Sequence, residues 1–329
     1  MGKKTKMTHH RWWVLATSVL LAGCGEDTDR YETLDRLRVL AIRSEAPDLA
    51  VGETAKLSAR VYEPTEGPLR YEWSWCPSRG DADVAFACNI PEQELARAWV
   101  AAELDGEPPT YALGTEREAE LTHMLTPELV TALCQAPDLD ERIQTACFEG
   151  FEASVQLTVS STEAQVTAIK SVPLLMDEEA ERNRNPTSDF TLSVSDKDGS
   201  GAISEGEPLR AGHQYVVTAN IDEGVAESFM PAAREGEPPP RERRETLVMS
   251  WFITVGELDD PDGDDGELND DFVRTTFVDG RNTVEDLARN GWKVPLTAGP
   301  SAELHVVLRD ERGGVGWATR RFEVVGGEP

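Results

Sequence analysis

Short segments in which apolar and polar residues alternate recur along this chain, and turn-forming residues separate them. One of them follows Gly52 and would place four apolar side chains on one face of a strand: Ala55, Leu57, Ala59 and Val61. Successive side chains of a β-strand point to opposite faces, so this alternation indicates strands with one buried face. Several such strands in each half of the chain favour a mainly β fold built from antiparallel sandwiches.

The two halves of the chain repeat one outline. A shift of 149 residues superposes a late pair of strands in the first half on a pair in the second: Val155, Leu157, Val159 and Val166 on Leu304, Val306, Leu308 and Val315. A tryptophan also marks a middle strand in each half, Trp73 in the first and Trp251 in the second. We therefore predict the duplication of one β module, with both tryptophans in hydrophobic cores and not on ligand-stacking surfaces.

A tryptophan-bearing middle strand and a final strand–turn–strand hairpin resemble bacterial immunoglobulin-like and PKD-type modules. The resemblance extends as a pattern over most of residues 31–175 and 188–326, and it implies two immunoglobulin-like antiparallel β-sandwiches. The chain departs from antibody-type domains because segments 55–61 and 155–159 lack the cysteine pair that joins the two sheets. It also lacks the W-D-F-G-D-G run of PKD repeats.

The sequence predicts five segments. They are a signal peptide at 1–23, a tether at 24–33, an immunoglobulin-like domain at 34–175, a linker at 176–188 and a second immunoglobulin-like domain at 189–327. The linker is predicted because its residues are polar and charged and include a proline. Within the first domain we predict a helical insertion at 91–148. Segments 91–104 and 127–134 would be its helices, and Thr126 would cap the second one.

The N-terminus carries a basic segment and then an apolar run that ends in Leu21-Ala22-Gly23-Cys24. The run from Trp12 to Ala22 is too short for a bilayer core of about 30 Å, so we interpret it as a processed export signal. The tetrapeptide resembles the lipobox of bacterial lipoproteins. That resemblance implies that Cys24 becomes the first mature residue and carries a diacylglycerol and an acyl chain such as palmitate. An ordinary secretory signal is the alternative.

The same resemblance predicts where the folded part is located. It would lie in the cell envelope, outside the cytoplasm, and Gly25 in place of Asp favours the outer membrane over inner-membrane retention. The chain has 32 Lys and Arg against 61 Asp and Glu, a net charge of −29, which argues against nucleic-acid binding. The predicted partners are the membrane, through the lipid anchor, and an envelope protein or a glycan.

Four further cysteines are available for disulfides: Cys76, Cys88, Cys134 and Cys147. An even number of thiols in an oxidising compartment predicts two disulfides, for which three pairings are possible. We favour Cys76–Cys88 and Cys134–Cys147, because each closes a short loop and would contribute about 3 kcal/mol through the unfolded state. A zinc site is the alternative, but the spacing is not C-x-x-C and no histidine is near in sequence.

Residues 196–207 match the twelve-residue loop of EF-hand calcium sites. The side chains or carbonyls that would face Ca²⁺ are those of Asp196, Asp198, Ser200, Ala202, Ser204 and Glu207, and Gly201 stands at the sharp bend. The flanking sequence differs from that family, because 190–194 alternates like a strand and Pro208 follows the loop. The motif therefore leaves two interpretations open, a calcium ligand set and an acidic loop between strands. Calcium is the only cofactor that the sequence suggests.

Catalytic motifs for serine hydrolases, zinc proteases and nucleotide-binding loops are absent from the sequence. After removal of the signal segment the histidines are His123, His213 and His305, and we expect surface or edge positions for the last two. These observations predict a non-enzymatic structural or binding module. A calcium-dependent adhesion or carbohydrate-binding lipoprotein is the alternative. A surface hydrolase with an unrecognised carboxylate pair is less favoured.

Overall fold

The computed structural model describes most of the chain after its N-terminal segment: residues 30–65, 67–80, 86–135, 141–176, 181–187, 190–198, 201–231, 239–259 and 274–326. The predicted signal peptide and Cys24 lie outside these residues. No helix among them is both long enough and apolar enough to cross a bilayer. Residues Tyr31–Pro329 form one compact unit.

Two sheets form a sandwich in the first half. Its strands are β1 (Arg38–Ser44), β2 (Leu49–Ala50), β3 (Thr54–Tyr62), β4 (Arg70–Cys76), β5 (Ala112–Gly114), β6 (Ala119–Thr122), β7 (Glu152–Ser160) and β8 (Gln165–Leu175). One sheet has the order β2-β8-β7-β4-β5, and the other has the order β1-β3-β6. The alternation that predicted β3 places Ala55 and Leu57 in the core between the sheets.

The second half has the same plan. Its strands are β9 (Thr191–Asp196), β10 (Leu209–Arg210), β11 (Gln214–Asn220), β12 (Ser228–Phe229), β13 (Arg243–Arg244), β14 (Leu247–Ile253), β15 (Glu257–Asp259), β16 (Arg274–Phe277), β17 (Arg289–Lys293), β18 (Ser301–Asp310) and β19 (Val315–Val325). The sheets have the orders β10-β19-β18-β14-β16 and β15-β17-β11-β9, and β12 pairs with β13.

The predicted helices of the first half are present, although the segment that contains them is not wholly helical. It holds α1 (Glu92–Ala101), α2 (Pro127–Cys134) and α3 (Glu141–Glu149), and the Thr126 side chain accepts a hydrogen bond from the Leu129 N–H at the start of α2. Strands β5 and β6 lie between α1 and α2 and pair with β4 and β3. The segment thus contributes to both sheets of the sandwich. A fourth helix, α4 (Val284–Leu287), lies in the second half.

Strand pairing supports the predicted duplication. Trp73 is opposite Leu157 in the first half, and Trp251 is opposite Val306 in the second, so the 149-residue shift relates the two partners. The short second strand of each half, β2 or β10, pairs in parallel with the end of that half's final strand, β8 or β19. Both tryptophan side chains are buried, as predicted. The fold is therefore two immunoglobulin-like antiparallel β-sandwiches.

A third hydrophobic cluster joins the two sandwiches. Leu34, Leu40 and Ala41 of the first half pack against Phe252, Val307 and Val315 of the second. A β-bulge in β1 shifts the pairing with β3 between Val39 and Ala41, at the position of Leu40. A bulge bends its strand and re-aims a side chain, and here the buried Leu40 side chain packs in the cluster between the halves.

Candidate functional site

The four cysteines form the two predicted disulfides, Cys76–Cys88 and Cys134–Cys147. In each pair the Cα atoms are 5.8 Å apart. The first bond joins the end of β4 to the segment before α1, and the second joins α2 to α3. The first disulfide therefore ties the segment before α1 to the sheet that contains β4. The second ties the helices α2 and α3 to each other.

The calcium-like loop begins at the end of β9 and returns as a short hairpin. The Asp196 N–H donates to the Gly201 carbonyl at 3.1 Å, and Ala202 pairs with Ser195. The Glu207 carboxylate accepts a hydrogen bond from the Ser204 N–H at 3.0 Å. Ser200 lies outside the described residues.

The surroundings of this loop do not test the calcium prediction. The Arg320 guanidinium donates to the carbonyls of Ile203 and Ser204, at 2.8 and 2.9 Å, and so places a positive charge beside the loop. In the part of the chain that the structure describes, no group of three or more His, Cys, Asp or Glu side chains could hold a metal ion. Calcium binding at Asp196, Asp198, Ala202, Ser204 and Glu207 stays a prediction.

The expectation for His305 was wrong, because this side chain is buried at the junction of the halves and only 1% exposed. The Arg60 guanidinium of β3 donates to its Nδ1 at 3.2 Å, and the Thr319 hydroxyl lies 3.1 Å from the same atom. Nδ1 therefore accepts, and the Nε2–H donates to the Glu303 carboxylate at 3.0 Å. Burial lowers the pKa of His305 to about 4, so the ring is neutral near pH 7.

This cluster has the residue types of a catalytic triad, but its geometry favours a structural role. A general base needs the Nδ1 lone pair that faces Thr319, and Arg60 already donates to that lone pair. We interpret the cluster as a polar contact between β3 and β18. The other two histidines lie elsewhere: His123 is buried in the first half, and His213 is exposed, as expected.

The described part of the predicted linker, 181–187, packs between the two halves. The Asn185 side chain donates to the carbonyls of Ser44 and Glu45, at 2.9 and 3.0 Å, and accepts from the Val315 N–H at 2.8 Å. Arg182 forms an ion pair of 2.6 Å with the buried Asp48. One amide side chain thus binds backbone groups of both sandwiches.

Two glycines allow this close approach. A Cβ atom on Gly316 would lie 2.0 Å from the Thr187 carbonyl oxygen, and one on Gly314 would lie 2.8 Å from the Arg184 carbonyl oxygen. Both distances are far shorter than a van der Waals contact. The Gly313–Gly316 turn is therefore shaped to receive the linker, and no larger residue fits there without displacing it.

Two buried cations also cross the junction. The Lys170 ammonium of β8 donates to the Gly313 carbonyl, and burial lowers its pKa to about 8. The Arg309 guanidinium of β18 donates to the Leu40 carbonyl at 2.6 Å, which satisfies a backbone group at the β1 bulge. Buried cations are costly unless hydrogen-bonded, so these contacts specify one docked arrangement.

The residues that precede β1 complete the sheet of the second half. Thr33 forms a parallel bridge with Ile253, the Leu34 N–H donates to the Ile253 carbonyl at 2.8 Å, and the Ile253 N–H donates to the Glu32 carbonyl at 2.9 Å. The chain therefore enters the folded unit at the junction itself.

A cleft of about 270 Å³ opens beside this entry point. Val39 of β1 forms one wall, Val166 and Ala168 of β8 form the other, and Phe252 of β14 closes it. Tyr31 lies at the rim, 5.5 Å from the Phe252 ring between centroids, and its side chain is 46% exposed. The cleft exists only when the two sandwiches are docked, because Phe252 belongs to the second half.

Two arginines flank the rim of the cleft. The Cζ atoms of Arg38 and Arg274 lie 5.6 and 5.2 Å from the centroid of the Tyr31 ring, within cation–π range. Arg38 also donates to the Tyr31 carbonyl. The arrangement combines a largely apolar cleft with a hydrogen-bonded guanidinium at its mouth.

The sequence interpretation missed the junction as a whole, although two signals existed. Lys170 occupies the inward register of β8, between Ala168 and Val172, where a cation must find a buried partner. On β18, Val307 lies on the face opposite the core residues Val306 and Leu308, so both faces of the strand carry apolar side chains. A strand that is buried on both faces indicates that a second layer covers it. No local signal pointed to Asn185, because its partners are distant in sequence.

Comparison with known proteins identifies no family: no protein-family model matches the chain, and no curated protein is similar to it. Solved structures that match include three N-terminal domains of the bacteriophage RB49 capsid protein Hoc, at 11% identity and a TM-score of 0.21, covering 89% of this chain and 71% of that one. Murine CEACAM1b has 7% identity and a TM-score of 0.20, with 87% and 100% covered. Chimeric titin Z1Z2 has 12% identity and a TM-score of 0.18, with 89% and 100% covered. At these identities and TM-scores the matches carry no conclusion about the function of this chain.

Proposed function

We propose that this chain is a non-enzymatic lipoprotein of the bacterial envelope, in which the two docked sandwiches act as one binding or structural module. The lipobox Leu21-Ala22-Gly23-Cys24 supports the anchor, and Gly25 favours the outer membrane. The partner would be an envelope protein or a glycan.

The lipobox carries the proposal, and the pairing of Thr33 with Ile253 indicates which part of the folded unit such an anchor would hold. Residues 25–31 separate an acylated Cys24 from Glu32, whose carbonyl accepts the first backbone hydrogen bond along the described residues. Seven extended residues span at most about 25 Å. An anchor at Cys24 would therefore hold the junction of both halves, and not one half alone, close to the membrane surface.

The test compares the wild-type chain with Cys24→Ser in cells fed a labelled palmitate analogue. We expect the wild type in the membrane fraction, labelled, and with an intact mass that lacks residues 1–23 and includes the lipid. Cys24→Ser should lose both the label and the membrane association, because it removes the thiol that begins the acylated N-terminus and stable anchoring needs two or more acyl chains.

The matched control is Gly25→Ala, which leaves the acylated thiol in place and should keep the label. Recovery of an unlabelled, full-length wild-type chain from the cytosol would contradict the anchor. A glycan or peptide hydrolysis activity of the purified chain that disappears on substitution of a carboxylate would contradict the non-enzymatic part of the proposal.

A further inference from the structure

We infer that the cleft between β1 and β8 binds a small ligand that combines an apolar body with a carboxylate. The volume of the cleft, about 270 Å³, is just below the range of typical small-molecule sites, which begins near 300 Å³. It would accommodate an aromatic ring with a short side chain. The inference goes beyond the proposed envelope function and does not depend on the anchor.

The walls of the cleft define the apolar part of the ligand. Val39, Val166 and Ala168 contribute aliphatic residues to its lining, Thr167 adds a polar one, and the Phe252 ring closes it. The Tyr31 ring adds an amphipathic edge at the mouth, half exposed to solvent. An aromatic body could therefore pack between the aliphatic walls and against the two rings, where aromatic pairs add about 0.5–1.5 kcal/mol beyond area burial.

The open edge of β8 beside the cleft makes the wall accessible. From Gln165 to Pro173, β8 pairs with β7 on one side, and β2 pairs with its other side at Leu174 and Leu175. The Gly313 turn covers the middle of this free side at Ser171 and Lys170. The edge at Val166–Ala168 therefore faces β1 across the cleft and is paired with no strand on that side among the described residues.

The guanidinium of Arg38 defines the polar part of the ligand. The chain has 61 acidic residues against 32 Lys and Arg, and several of its arginines, such as Arg182 and Arg312, form ion pairs with carboxylates. Neither Arg38 nor Arg274 forms an ion pair with a carboxylate within the described ranges. Arg38 is held in place by its bond to the Tyr31 carbonyl.

A guanidinium of this kind favours a carboxylate over a neutral oxygen. Its remaining N–H groups form a planar fork that matches two carboxylate oxygens. A second cation, Arg274, lies on the same tyrosine ring and raises the local positive potential. In a protein of net charge −29, two arginines around one apolar cleft select an anion.

The experiment titrates the full chain in phosphatidylcholine nanodiscs with 3-phenylpropionate, and with the neutral 3-phenylpropanol, by ligand-observed NMR. We expect the carboxylate to bind about tenfold more tightly than the alcohol, as one charge-assisted contact implies. Arg38→Gln should weaken binding of the carboxylate to that of the alcohol and leave the alcohol unchanged. Arg36→Gln is the matched control, since this exposed arginine pairs with Asp35 and does not line the cleft.

Two further variants test the location of the site. Ala168→Phe fills the cleft from one wall and Val39→Phe from the other, and each should abolish binding of both probes. If one of them fails to fold by circular dichroism, the other still decides the outcome. Absence of 3-phenylpropionate binding to the wild type, equal binding to Arg38→Gln, or retained binding to a folded cleft-filling variant would overturn the inference.

Discussion

The role of His305 depends on which side of its strand the neighbouring half covers. The residue lies on the face of β18 opposite the core residues Leu304 and Val306, where an isolated sandwich would expose it. The first half covers this face, so the imidazole is neutral, hydrogen-bonded to Arg60 and Glu303, and its pKa falls from 6.5 to about 4. Burial between domains, and not local sequence, sets its protonation.

We predict that His305 makes the junction sensitive to acid. Between pH 6.5 and 4 the unfolded chain binds a proton at this histidine and the folded chain does not, so the free energy of unfolding falls as pH falls. The loss from this residue reaches about 3 kcal/mol near pH 4 and is absent above pH 7. His305→Gln should lose less stability than the wild type between pH 7.5 and pH 4.5 in urea titrations.

The control for this experiment is His213→Gln, at an exposed histidine. It should show the same pH dependence as the wild type, because this side chain is exposed and takes no part in the His305 cluster. Parallel pH profiles for the wild type and His305→Gln would show that the imidazole is not buried at the junction.

At the scale of single elements, the strands with clear alternation were predictable and the shortest ones were not. Strands β3, β4, β7 and β18 follow the apolar period of two in the sequence. The two-residue strands β2 and β10 carry no periodicity, and their parallel pairing with β8 and β19 depends on the tertiary fold. Strands β5 and β6 were missed for a similar reason, since they are three and four residues long and lie between helices.

The loop at 196–207 carries a prediction at this scale. If it binds calcium, millimolar Ca²⁺ should raise the melting temperature of the full chain and release heat in isothermal titration, because the ligand binds only the folded loop. Asp198→Asn removes a carboxylate at the third loop position and should abolish both effects. Asp279→Asn, at an exposed aspartate outside the loop, should leave them unchanged. No heat and no thermal shift in the wild type would end the calcium interpretation.

At the scale of the whole molecule, the sequence indicates two modules but not their docking. The segment at 176–188 is polar and charged, which is typical of a solvated linker, and its described part is nevertheless packed against both halves. Its contacts are hydrogen bonds of Asn185 to backbone groups and the ion pair of Arg182 with Asp48, which leave no hydrophobic pattern in the sequence. The cleft is equally invisible, because its walls come from β1, β8 and β14.

Asn185 should therefore be important for the stability of the joined halves. Asn185→Ala removes three hydrogen bonds and leaves backbone groups at the junction without partners, which we expect to cost about 1–3 kcal/mol. Scanning calorimetry should show a lower melting temperature. Asn220→Ala, which removes side-chain bonds on the exposed face of β11, is the control and should have a smaller effect. Equal melting temperatures for Asn185→Ala and the wild type would contradict this role.

The bridge between Thr33 and Ile253 has a mechanical consequence. Tension applied at the N-terminus reaches β14 of the second half through this bridge and β1 of the first half through the residues that follow it. Neither sandwich would be stretched alone under such a load, since the pull divides between them at the point of attachment. A pulling force at the N-terminus would therefore load both sandwiches together.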